Sequence, residues 1–190
     1  SLPAKLVAKV LRRKVADVLP LMAGSMQCGA VRGGGVEFPS HSTRLFLRKA
    51  RAEHKSACVL FADMRSAFYS VLPETFLGPA LAPKHRDALF DRLGVSASAK
   101  QHILDMADDA PGRLAALGLD EQWASAARDW HRNCWYGVAG SSDVVATFRG
   151  VRPGDPIADM IFCCVFALFM QELVPHLASC GAEVALPDAS

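Results

Sequence analysis

An α+β fold is what this sequence predicts, and three observations carry the prediction. Most of the chain places apolar residues at helical spacing. Two short stretches, residues 57–63 and 144–148, favour strands instead. The longest apolar run, Met160 to Met170, fits a central buried helix. The 190 residues are enough for one good core, so one domain or part of a larger one is expected. A composition of 51% hydrophobic and 21% charged residues, with no low-complexity tract, excludes a disordered chain.

Charge and cysteine usage narrow the function classes. Lys5, Lys9 and Arg12-Arg13-Lys14 interrupt the apolar positions of residues 2–22, so no secretory signal is expected there. The Met160–Met170 run is too short to cross a bilayer, and the expected location is intracellular, nuclear or cytoplasmic, with no membrane partner. Six cysteines (Cys28, Cys58, Cys134, Cys163, Cys164, Cys180) lack C-x-x-C spacing and fit reduced thiols better than a disulfide or zinc framework. The formal charge of +2 conceals an asymmetry of +8 over residues 1–55 and −6 over residues 56–190. Basic charge gathered in one part of an otherwise acidic chain points to a polyanionic partner there.

Taken in order, residues 4–22 fit one amphipathic helix, with Val7, Leu11, Val15, Val18 and Met22 inward and Lys5, Lys9 and Arg12 on another face. Gly24 and Ser25 close it, and a glycine-rich loop follows from Gln27 to Gly35. A second helix is predicted over residues 43–54, where Arg44, Arg48, Arg51 and Lys55 form a basic stripe opposite Leu45 and Phe46. Several phosphates neutralised in register is what such stripes offer nucleic acid.

Residues 57–63 then form a predicted buried strand that delivers one carboxylate, Asp63, which needs a cation, a metal or water for company. Pro73 opens a short helix towards Leu77, and residues 84–93 form another that stops at Gly94. Residues 98–109 are helical until Pro111-Gly112 breaks them. Asp120 caps a helix expected over residues 121–136, with Trp123 and Trp130 on one core face. His131 and Cys134 share a turn of it, but two ligands without a partner pair are weak grounds for a metal site. Residues 140–143 turn into the strand at 144–148, and Asp155-Pro156 starts the apolar helix, expected to run to about Leu173.

Two of these stretches together resemble reverse transcriptases, most closely those of non-LTR (LINE-type) retrotransposons. Phe61-Ala62-Asp63 with Ala67-Phe68-Tyr69-Ser70-Val71 looks like polymerase motif A, and Gly150-Val151-Arg152-Pro153-Gly154-Asp155-Pro156 is similar to motif B. The Gln27–Gly35 segment, after a basic helix, resembles the element ahead of the palm. The resemblance spans about residues 5–175 and implies a palm-like small antiparallel sheet packed with helices, preceded by part of a helical fingers region. Residues 1–55 would be the fingers part and residues 56–190 the palm part. Within the palm, motif A would occupy about 57–71, a helical insert 73–137 and motif B about 148–173. Synthesis would be RNA-directed, transferring nucleotidyl groups from deoxynucleoside triphosphates to the 3′-hydroxyl of a DNA primer on an RNA template, with release of pyrophosphate and two Mg²⁺ (or Mn²⁺) ions.

What it implies residue by residue is specific. Asp63 matches the catalytic metal ligand, and the Met64 backbone carbonyl a second donor. Phe68 matches the aromatic beneath the incoming sugar, and Pro153 and Gly154 the nucleotide-facing part of motif B. Lys5, Lys9, Arg12, Arg44, Arg48, Arg51 and Arg152 are the expected nucleic-acid contacts. Two departures stand out: Pro153 occupies the position of the usual glutamine, and no aromatic-x-Asp-Asp sequence (motif C) follows the motif B helix. The chain therefore reads as a partial or degenerate copy, inactive alone. Two other readings stay open: a nucleic-acid-binding remnant without synthesis, and a helical interaction domain in which Asp63 is a solvated strand end.

Overall fold

A computed structural model describes residues 2–23, 27–29, 35–61, 63–132, 134–152 and 154–181. It is α+β, with helices dominating and one two-stranded antiparallel sheet. In chain order the elements are α1 (Leu2–Val15), α2 (Leu19–Met22), α3 (Glu37–Ala52), α4 (Ala67–Ser70), α5 (Glu74–Leu77) and α6 (Pro83–Leu93). They continue as α7 (Ala97–Ala116), α8 (Glu121–His131), β1 (Cys134–Gly137), β2 (Val144–Thr147) and α9 (Ala158–Ser179).

The core gathers around α9 and the short α5. Phe76 and Leu77 of α5 are fully enclosed by Leu114 of α7, Ala124 and Ala127 of α8, and Ile161 and Cys164 of α9 belong to the same cluster. Leu11 and Val15 of α1 and Leu19 and Met22 of α2 close it from the N-terminal side. Each large side chain so buried contributes about 1.5–3 kcal/mol. Cys164 lies deep enough in this core that burial pushes its thiol above the usual range, which suits an inert packing group.

Several elements follow local chemistry. α6 ends where Gly94 takes a left-handed φ of 62°, and α7 begins with the Ser96 hydroxyl accepting from Ala99 N at 3.2 Å. The β1–β2 hairpin pairs Cys134 with Thr147 and Tyr136 with Val145. α9 starts as expected, with Asp155 Oδ1 accepting from Ile157 N at 3.0 Å. It runs past Leu173 to Ser179, across Pro175. At 22 residues it is long and apolar enough, by length and composition alone, to cross a membrane, whereas the Met160–Met170 run is not. Here α2, α4 and α5 pack against it.

Other elements depart from the sequence reading, each for a physical reason. The single helix over 4–22 is two helices, because Pro20 has no N–H and its ring clashes with the carbonyl of Ala16. Val7 is half exposed, while Leu11, Val15, Val18 and Met22 are buried. α3 starts six residues before Thr43, and Leu45 is largely exposed. α7 passes through Pro111, held there by tertiary contacts. Arg113 Nη2 donates to Thr75 O at 2.7 Å and to Met106 O at 3.0 Å, and Pro111 packs over Gly78. α8 stops at His131 because Cys134, Trp135 and Tyr136 find strand partners instead.

The largest correction concerns the stretch leading to Asp63. Residues 55–61, 63 and 64 adopt neither helix nor strand, and Leu60 and Phe61 are 83% and 88% exposed. An isolated strand has nothing to satisfy its backbone groups, and among the described residues no other strand lies alongside this one.

Candidate functional site

The two segments that carry the resemblance are docked on each other through their backbones. Ser66 takes a left-handed conformation (φ 55°), which launches α4. Val151 N donates to Phe68 O at 2.7 Å, and Gly150 N donates to Val71 O at 2.6 Å. Gly150 has φ 84°, and a Cβ there would fall 2.9 Å from both Cα and O of Tyr69. Only glycine satisfies both demands at that position. Phe68 is half-buried and faces α9, its ring centroid 5.4 Å from that of Phe162.

Asp155 fixes the next corner. Beyond its cap to α9, its Oδ2 accepts from Trp130 Nε1 at 2.8 Å, tying α8 to the turn that leads into α9. Asp155 N donates to Arg152 O at 3.0 Å, closing a tight turn. Beside this corner lies an open cleft of about 610 Å³, between the hairpin, the end of α6 and the 148–152 segment. Its lining includes Tyr69, Arg92, Trp135, Tyr136, Arg149 and Arg152. His131 sits in its wall, with Nδ1 3.0 Å from Ala127 O and Nε2 buried without a partner among the described residues. Burial lowers its pKa below the usual imidazole value, and the nearby Arg152 charge acts in the same direction.

No family model, curated protein or solved structure matches this chain.

The structure places the predicted site residues unevenly. Asp63 is exposed and makes no hydrogen bond or ion pair among the described residues, and Met64 is partly exposed beside it. The strand that was to bury Asp63 is absent, so no desolvation calls for a compensating cation. Among the described residues no group of three His, Cys, Asp or Glu could hold a metal ion. The donors present therefore do not fit a two-ion centre. Cys134 donates its thiol to the His131 carbonyl at 3.4 Å, as a packing group would. Gly154 has φ 85° in open space, so glycine there answers the backbone alone. Pro153, Gly24, Ser25 and most of the Gln27–Gly35 loop lie outside the described residues. Gln27 itself donates through Nε2 to Cys163 O at 2.8 Å, anchoring the loop to α9.

The basic residues also separate into classes. Arg12 is engaged within the fold: its two terminal nitrogens fork onto the Asp159 carboxylate, Nη2 at 2.9 Å from Oδ2, and Nη1 also donates to Pro156 O. The hydrogen bond to Asp159 raises its pKa further. Arg12 is thus a brace between α1 and the start of α9, unlike the other basic residues expected to meet nucleic acid. Lys5 and Lys9 are exposed on α1, and Arg44, Arg48 and Arg51 are exposed on α3 without an ion-pair partner among the described residues. Arg152 is exposed at the cleft. Arg92, Arg149, Trp135 and Tyr136 escaped the sequence reading. The last two were assigned to a helix, and no local signal marks the arginines.

Proposed function

We propose that this chain is part of a reverse-transcriptase-type domain, in which it binds and positions template, primer and incoming nucleotide. One observation supports this most: the two matching segments meet through two backbone hydrogen bonds, from Gly150 N to Val71 O, 79 residues apart, and from Val151 N to Phe68 O, at a glycine that admits no side chain. A polymerase palm needs that juxtaposition, since one segment carries the metal-binding carboxylate and the other borders the nucleotide. In this reading the α+β body is palm-like and α3 belongs to the fingers. The free arginines of α3 meet phosphates, and Phe68, seated on Phe162, forms a firm floor beside the nucleotide.

Nucleotide transfer itself is assigned to a longer polypeptide. Mg²⁺ prefers a few carboxylates plus substrate phosphate, and Asp63 stands without the further acids. Those acids would come from an aromatic-x-Asp-Asp segment that these residues do not contain. A second reading, a binding remnant without synthesis, is favoured by the same solitary Asp63.

Primer extension on an RNA template separates the two, using this chain joined to a downstream Tyr/Phe-x-Asp-Asp segment. The expected result is incorporation of deoxynucleotides that Asp63→Asn abolishes. Incorporation that survives Asp63→Asn would overturn the motif A assignment. Template–primer binding without any incorporation, in a protein with unchanged melting, would select the remnant.

A further inference from the structure

The arginine- and aromatic-lined cleft takes in Arg152 of the 150–156 segment together with residues that no motif match includes, among them Arg92, Arg149, Trp135 and Tyr136. It carries three arginines from two separate places: Arg92 at the end of α6, and Arg149 and Arg152 flanking Gly150. None of the three has an ion-pair partner among the described residues. The one acid in the lining, Asp155, has both oxygens taken by Trp130 Nε1 and Ile157 N. Those hydrogen bonds leave its charge in place, but three guanidiniums against one carboxylate give the cleft a net positive lining, which focuses its field on whatever enters. The entrant is therefore anionic.

The same lining is aromatic. Trp135 and Tyr136 of β1 are 62% and 52% exposed, although large rings usually find cover. Isolated two-stranded hairpins are marginal in water, so exposed rings on this one cost stability unless a partner covers them. Phosphate-pairing arginines beside uncovered aromatic faces are the combination that binds nucleic-acid strands with unpaired bases. A duplex hides its base faces and would leave the rings without a partner. The cleft is open, holds about 610 Å³ and takes charge from two sides, which suits a strand better than a single nucleotide.

We propose that this cleft binds single-stranded nucleic acid, with Arg92, Arg149 and Arg152 on the phosphates and the exposed rings of β1, Trp135 and Tyr136 on its two faces, available to stack on bases. The inference rests on the nucleic-acid reading above, but not on Asp63 or on any catalysis. It assigns Arg92, Arg149, Trp135 and Tyr136 roles that the α3 stripe cannot perform, since α3 offers charge without exposed stacking rings at its arginine face.

The test is fluorescence anisotropy of the 190-residue chain with a labelled 20-nucleotide single strand across a salt series. A blunt duplex and a deoxynucleoside triphosphate serve as competitors, and melting is recorded for every variant. Arg92→Gln/Arg149→Gln/Arg152→Gln should lower the slope of log K against log salt by about 2, from about 0.7 per phosphate contact on a single strand. Trp135→Ala/Tyr136→Ala should weaken binding roughly tenfold or more while leaving that slope unchanged. The duplex should compete poorly, and the triphosphate weakly. Unaltered affinity and slope in both cleft variants, with loss on Arg44→Gln/Arg48→Gln/Arg51→Gln, would overturn the cleft proposal and leave the nucleic-acid reading standing. Equal competition by duplex or triphosphate would also overturn it. No binding of any strand by the native chain would overturn both.

Discussion

His131 shows how one buried ring makes stability depend on pH. Its Nδ1 is engaged by the Ala127 carbonyl, its Nε2 has no partner among the described residues, and burial holds its pKa below 6.5. Asp155 pulls the other way but less strongly. The folded chain therefore prefers the neutral ring, while the unfolded chain takes up a proton near pH 6.5. The unfolded state then binds more protons below that pH, so stability falls as pH drops from about 6.5 towards the lower folded pKa. Above that window the ring contributes no slope. Melting curves between pH 7.5 and 5.5 should show the native chain losing more stability than His131→Gln. The His102–Glu172 pair is common to both proteins and cancels in the difference. Parallel pH profiles would contradict the assignment.

Between elements, the decisive contact is the seat of Gly150 and Val151 on α4 and Val71. Gly150 and Gly154 provide an internal comparison, since their φ angles are 84° and 85°. A side chain at Gly154 meets only open space, so Gly154→Ala should cost about 1 kcal/mol of left-handed strain. Gly150→Ala adds a collision with the Tyr69 and Phe68 backbone, which can relax only by separating the two segments. A cost of at least ~3 kcal/mol is expected, with both values read by denaturant unfolding. Equal costs would mean the segments are not docked. Elements whose signals are local were legible in the sequence: α6 with Gly94, the Asp155 cap of α9, and the turn into β2. Those decided by distant partners were not. Pro111 reads as a breaker until Arg113 is seen tied to Thr75, and Cys134–Gly137 reads as helix until β2 lies beside it. Of the site, the glycines and Asp155 were visible from motif spacing. The arginines of the cleft come from α6 and the 149–152 turn, and only the fold brings them together.

At the scale of the molecule, the surface is incomplete where the sequence expected a sheet. Leu60 and Phe61 stand almost fully exposed on an extended segment, and Val36, Phe38, Leu45 and Leu47 are exposed on and before α3. An extended backbone with unpaired N–H and C=O groups and two large apolar side chains is a template for pairing with another chain. A formal charge of only +2 gives little repulsion to oppose it. The chain is accordingly expected to associate at micromolar concentration, through residues 56–61 rather than through α3. Two measurements locate the contact. Light scattering after size exclusion should shift towards monomer for Leu60→Ser/Phe61→Ser, and much less for Phe38→Ser/Leu45→Ser. Amide exchange over residues 56–61 should be fast in dilute solution and slow on association, because pairing occupies the backbone groups. Both substitutions lie outside the buried core, so neither should lower the melting temperature appreciably. A native chain that stays monomeric at high concentration would refute the open-edge account, as would association undiminished by the Leu60/Phe61 change. In either case the exposed stretch before Asp63 would have to be a solvated connector rather than a strand awaiting its neighbours.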